Sequence, residues 1–180
     1  MSLQRVKPLA AGLLLASIFG LGMAPSARTE GPLSPGIGGI ARLYSTPELL
    51  AGFLRKQMTF REDNEIFGRR DYWQAPEEFL RRREGDCEDY ALLAQAVLER
   101  QGMEALVLSV YGPGYAHTVC LFREGGYYNI FNQDKVIRCR AASLEEAASV
   151  LYPRWSWGAV ARRFGRRGRA VQRLRNPVAF

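Results

Sequence analysis

Apolar residues recur along this chain with two different periods, and the change from one to the other divides it. Between Thr46 and Gln101 they return every three or four residues, as in helices with one buried face; between Glu104 and Cys139 they alternate, as in strands. Thr46-Pro47-Glu48 predicts a helix start, with a hydroxyl N-cap, proline at the first helical position and an early acid. Leu50, Phe53, Leu54 and Met58 form its apolar stripe. The charged stretch Thr59 to Tyr72, with Gly68 inside it, reads as loop with short turns. Pro76 opens a second helix, Glu77 to Arg83, which Gly85 is expected to end. A third runs from Cys87 to Gln101 and stops at Gly102, with Tyr90, Ala91, Ala94, Val97 and Leu98 on one face. Strands are predicted at Glu104 to Tyr111, His117 to Arg123, Tyr127 to Asn132 and Val136 to Cys139, with Glu124-Gly125-Gly126 as a hairpin turn. Ser143 and Glu146 cap a last helix that ends before Pro153. Helices followed by an antiparallel meander predict an α+β fold.

Charge changes the picture at the two ends. The 180 residues carry a formal charge of +7, but Ala147 to Phe180 holds eight arginines and no acid, so the remainder is slightly acidic. Arg5 and Lys7 precede an apolar run from Leu9 to Met23, followed by Ala24-Pro25-Ser26-Ala27. That is the pattern of an export signal over residues 1–27, directing the chain to a bacterial periplasm; uncleaved, it would anchor the chain in the inner membrane. Residues 28–45, rich in Gly, Pro and Ser, read as a linker or irregular lead-in, 46–160 as the folded domain and 161–180 as a basic tail. Export argues against nucleic acid as the partner of the tail. Its arginines are expected to be solvated, or to meet anionic lipid or cell-surface polymer. Cys87, Cys120 and Cys139 are too few for a disulfide scaffold, and an odd number leaves at least one free thiol. Cys120 and Cys139 either pair with each other or are both free.

Cys87 is the candidate nucleophile. At the first turn of a helix, free backbone N–H groups and the positive end of the macrodipole favour thiolate. The competing reading is a small apolar residue that opens a core helix. His117 is the only histidine and heads a predicted strand. With the hairpin centred between Glu124 and Gly125, His117 falls opposite Asn132, with Asp134 one step diagonally away. A helix-start cysteine, a strand histidine and an amide or carboxylate beside it make the nucleophile–base–orienter set of cysteine hydrolases, with Asn132 or Asp134 third. The Cys87 backbone N–H, and a side-chain donor from Trp73 or Gln74, are oxyanion candidates. Asp86, Glu88 and Asp89 suit a helix cap at the positive end of the dipole. One histidine and scattered cysteines give no zinc signature.

Gly85-Asp86-Cys87-Glu88-Asp89-Tyr90-Ala91, a helix ending at Gly102 and a strand beginning Ala116-His117 resemble the transglutaminase-like superfamily. The run Tyr72-Trp73-Gln74-Ala75-Pro76-Glu77-Glu78-Phe79-Leu80 before the cysteine motif is most similar to the bacterial transglutaminase-like cysteine proteinases, which include periplasmic adhesin-cleaving proteases. The resemblance spans Trp73 to Asp134. It implies a papain-like core with the cysteine helix on an antiparallel sheet, Cys87 as nucleophile, His117 as general base, and a peptide or protein substrate cleaved through a thioester. It also implies calcium at the acids flanking the cysteine, here Asp86, Glu88 and Asp89, although the chemistry of the triad requires no cofactor. The family's third residue is an aspartate four places after an aromatic. Tyr128 and Asn132 keep the spacing with asparagine in its place. A transamidase, with an amine in place of water, and a catalytically silent binding module on the same fold are the alternatives.

Overall fold

The computed structural model describes residues 35–161 and 171–177. The proposed export signal and the arginines at 162, 163, 166, 167 and 169 lie outside the described residues. Helix α1 is Ile37–Leu43, α2 Pro47–Gln57, α3 Asp63–Phe67, α4 Pro76–Arg82, α5 Cys87–Arg100 and α6 Leu144–Leu151. Two short strands, β1 (Thr59–Phe60) and β2 (Glu84–Gly85), pair in parallel. The main sheet comprises β3 (Ala105–Gly112), β4 (Tyr115–Glu124), β5 (Tyr127–Asn132), β6 (Lys135–Ala141), β7 (Trp157–Ala161) and β8 (Val171–Arg175). Its order is β6-β5-β4-β3-β7-β8, antiparallel throughout.

The sheet separates two cores. On one face α5, α1, α2 and α4 bury Leu50, Leu54, Phe79, Leu93 and Leu98 against Val107, Cys120, Phe122 and Phe131. On the other, α6 and Trp155 bury Leu108, Leu121, Ile130, Val160 and Leu174. The cysteine helix is laid on an antiparallel sheet, the core that the resemblance implies. Burial on α5 goes beyond the expected stripe, since Leu92, Leu93 and Gln95 are buried as well.

Four expectations need correction. The supposed linker contains α1, whose Ile37, Ile40 and Ala41 are buried one helical turn apart; its glycines hide an ordinary amphipathic spacing. The stretch 59–72 contains β1 and α3. Helix α4 stops at Arg83, which takes the left-handed conformation (φ 64°) expected of a glycine; Gly85 belongs instead to β2. The tail supplies β8, and β7 lies just before it, because Leu174 and Val160 alternate inward between exposed arginines and small residues. Cys120 and Cys139 lie in the two different cores and are both free, so they do not pair.

The β4–β5 hairpin is closed by Gly125 and Gly126, both at positive φ (59° and 88°), a two-residue turn that suits the strand twist. Glu124 therefore faces Tyr127, and the last pair is Cys120 with Phe131. Pairing is two residues out of the expected register. Continued by one step it sets Asn132 opposite Val119, which leaves His117 diagonal to Asn132 on the same face.

Candidate active site

The cysteine motif is a lock built before it is a site. Asp86 is the N-cap of α5, and Asp89 closes a capping box by accepting the Asp86 backbone N–H (3.3 Å). The fully buried Asp89 carboxylate also takes the Gln74 backbone N–H (2.8 Å) and Gln74 Nε2 (2.6 Å). Its acidity is weakened to about 6, chiefly by burial, against these donors. Gly85 makes the approach possible. A Cβ there would lie 2.2 Å from Asp89 Oδ2 and 2.8 Å from Gln74 Nε2. The segment before α4 is thereby clamped to the start of α5, and Cys87 takes the first helical position.

Cys87 is half-buried. The Thr118 backbone N–H is directed at its sulfur, which places the sulfur against β4 one residue from His117. The thiol also donates to Glu88 Oε2 (3.2 Å). Burial first, then the charge and hydrogen bond of Glu88, push the thiol well above its ordinary range. On β4, His117 Nε2 lies 2.8 Å from Asn132 Oδ1. An amide oxygen only accepts, so Nε2 carries the hydrogen and Nδ1 keeps its lone pair. The Tyr152 ring meets His117 edge-on at 5.8 Å and stacks on Tyr115 at 4.6 Å. Tyr152 also lies within the field of Cys87, which, after burial, raises its phenol pKa. His117 is thus joined to Asn132 and touches Tyr152, while the Cys87 sulfur faces the backbone of Thr118, the next residue along β4. No sequence pattern marks Tyr115 or Tyr152, which converge only through the fold.

Asp134 goes elsewhere. It occupies the two-residue turn between β5 and β6, next to Gln133 at φ 53°, and Arg55 on α2 holds it by Nε to Oδ2 (3.0 Å) and by Nη2 to its carbonyl (2.8 Å). The side-chain oxyanion candidates are also engaged. Gln74 Nε2 spends its two hydrogens on Asp89 and the Glu84 carbonyl (2.9 Å), and Trp73 Nε1 donates to Asp71 (2.7 Å). The Cys87 backbone N–H, first in the helix, has no intrahelical acceptor.

A buried acidic cluster adjoins the sulfur. Ligand atoms of Asp63, Asp71 and Glu88 lie within 4.8 Å of one another, as do those of Asp86, Cys87 and Glu88, and of Asp63, Asp86 and Asp89. Asp63, Asp86 and Glu88 are buried, and among the described residues no lysine or arginine pairs with them. Asp63 Oδ1 and Asp86 Oδ1 have no hydrogen-bond partner, while Asp63 Oδ2 accepts from the Tyr72 backbone. Burial raises the pKa of all three carboxyls. Orphaned buried carboxylate oxygens facing one another suit an oxygen-seeking divalent cation. Asp89 serves mainly the clamp, whereas Asp63 and Asp71 join the cluster from a stretch that sequence reads only as loop.

The family model of bacterial transglutaminase-like cysteine proteinases matches residues 51–142, just over half the chain. No curated protein sequence matches. Among solved structures, the chain is similar to calcium-bound LapG of Legionella pneumophila, at 20% identity over 74% of this chain and 72% of that one, with a TM-score of 0.48. EGTA-treated LapG of the same organism gives 20% identity over 72% and 66%, with a TM-score of 0.47.

Proposed function

From the premise that the chain belongs to the bacterial transglutaminase-like cysteine proteinases, and is therefore a cysteine peptidase acting on protein, we propose that it cleaves its substrate through a Cys87–His117–Asn132 triad. The observation that carries this reading is the 2.8 Å bond from His117 Nε2 to Asn132 Oδ1, beside a helix-start cysteine whose sulfur rests one residue away on the same strand. His117 Nδ1 accepts the thiol proton, and Asn132 fixes the tautomer and holds the resulting imidazolium. The sulfur attacks the substrate carbonyl, and the Cys87 backbone N–H donates to the developing oxyanion. The C–N bond breaks as His117 returns its proton to the leaving amine, leaving a thioester. Water, deprotonated by His117, then attacks the thioester carbon; the C–S bond breaks, His117 returns its proton to the Cys87 sulfur, and the acid product leaves.

Calcium fits the acidic cluster. Asp63, Asp86 and Glu88, with Asp71 at the rim, would hold it. Bound there, the ion would offset the buried negative charge that now favours the protonated thiol. As ligands of the ion, Glu88 would favour the protonated thiol less, and Asp63 would tie the stretch 63–72 to the start of α5. The apolar N-terminal run supports export to a periplasm. No helix among the described residues is long and apolar enough to cross a membrane.

The test is proteolysis of denatured protein by the full chain with calcium present, read by mass spectrometry. Cleavage abolished by Cys87→Ala and by His117→Ala is the expected result, with calorimetric calcium binding lost in Asp86→Asn/Glu88→Gln. Incorporation of a dansylated amine in place of hydrolysis would replace this reading with the transamidase. Absence of both reactions, with Cys87 inert to alkylation, would leave a binding module.

A further inference from the structure

Two rows of paired residues run across the sheet from the active site to its free edge. Thr118, whose N–H faces the Cys87 sulfur, pairs with Ser109, Ser109 with Ala159, and Ala159 with Arg173. The next row is Ala116, Tyr111, Trp157 and Arg175. Directly paired residues share a face, and this is the face of α5, because Val107 of the same strand packs in the α5 core. Helix α5 lies over β3, β4 and β5. Over β7 and β8 no described residue closes the face: Trp157 is 43% exposed and lies flat on Tyr111 (3.8 Å, 9°), and Arg173 and Arg175 are exposed. Neither arginine has an ion pair, hydrogen bond or ring contact among the described residues. The outer edge of β8 has no described strand beside it.

We propose that this face of β7 and β8 is a docking surface for an acidic stretch of the polypeptide substrate, a selectivity element that rests on the peptidase reading above. Three strand spacings separate the Thr118 position from Arg173, about 14 Å, which an extended peptide covers in about four residues. A substrate seated at Cys87 therefore reaches Arg173 and Arg175 with a side chain about four positions from the scissile bond. The stacked pair of Trp157 and Tyr111 gives that segment an aromatic contact on its way to the arginines. Acidic side chains complement the two unpaired guanidinium groups. A polypeptide suits this surface better than a membrane. Trp157 is stacked flat, and the other large exposed apolar residues, Leu43, Leu49, Phe60, Tyr127 and Val150, stand on different elements.

The test measures binding without turnover. Full-length chain carrying Cys87→Ser is titrated with a fluorescein-labelled glycine–serine peptide bearing paired glutamates, and with its glutamine and lysine counterparts, by fluorescence anisotropy. The glutamate peptide should bind best and weaken with salt. Arg173→Glu/Arg175→Glu should weaken it about tenfold or more, with the Gln pair intermediate. Arg42→Glu/Lys56→Glu, with the same change of net charge on other elements, should not weaken it. Equal binding of the three peptides, or equal loss in the control pair, would overturn the proposal. So would binding only to phosphatidylglycerol vesicles, abolished by the same arginine reversals, which would make the face a membrane contact. Failure of the peptidase reading looks different: the Cys87→Ser chain binds the acidic peptide while the native chain cleaves nothing.

Discussion

The Asn132 assignment is the most exposed to disproof, because two candidate third residues lie two positions apart. Asn132→Ala removes one hydrogen bond of 2.8 Å from His117 Nε2. In the resting state that bond joins neutral groups and contributes about 1 kcal/mol; once the imidazole is protonated it involves a charge and contributes about 1.5–3 kcal/mol. The difference between the two, about 0.5–2 kcal/mol, governs formation of the thiolate–imidazolium pair, so the reaction rate of Cys87 should fall about 2- to 30-fold. Asp134→Ala removes only an ion pair with an arginine whose side chain is 61% exposed. It should cost at most about 1 kcal/mol of stability and leave the rate within about twofold. The assay is the alkylation rate of Cys87 by iodoacetamide with calcium present, localised by mass spectrometry. Cys139→Ser serves as background, while the fully buried Cys120 is left in place. A drop for Asp134→Ala with none for Asn132→Ala would refute the assignment. Asn132→Asp should react faster than the native chain, since a carboxylate stabilises the imidazolium more than an amide does.

Gly85→Ala should destabilise the chain by about 2–4 kcal/mol in urea unfolding, by forcing Asp89 and Gln74 apart and breaking buried hydrogen bonds; a loss under about 1 kcal/mol would show that the clamp yields freely. Metal-free chain should melt higher at pH 5 than at pH 8. The Asp89 carboxyl lies at about 6 folded against 3.8 unfolded, so stability is full below 3.8 and falls as pH rises through 6, by about 3 kcal/mol for this group alone. Asp63, Asp86 and Glu88 shift in the same direction. Calcium should flatten the slope; a melting temperature that rises from pH 5 to pH 8 under chelator would contradict the burial argument. Glu88→Gln, which removes a charge beside the sulfur, should lower the pH at which Cys87 alkylates in metal-free chain, and no shift would show that Glu88 does not restrain the thiol.

The sequence by itself determined whatever depends on local order. Residue spacing gave α2, α5, α6 and the hairpin strands, because periodicity reports which face is buried without reference to a partner. The cysteine at the head of α5 and the lone histidine on a strand were legible for the same reason: each is defined by its own element. The tertiary structure decided what depends on partners distant in sequence. A two-residue turn at Gly125-Gly126, in place of one centred a residue earlier, moved the register by two, yet Asn132 still reaches His117 because the diagonal neighbour shares its face. Asp134 is engaged by Arg55, 79 residues away along the chain, a partner that no local pattern announces. Gln74, distant from Asp89 in sequence, ties its oxygens into the clamp, and burial brings Asp63, from a stretch that reads as loop, to Asp86 and Glu88. The arginine-rich end read as a solvated tail because its charge concealed Val160 and Leu174, two inward residues that pack only once the rest of the sheet exists to receive them.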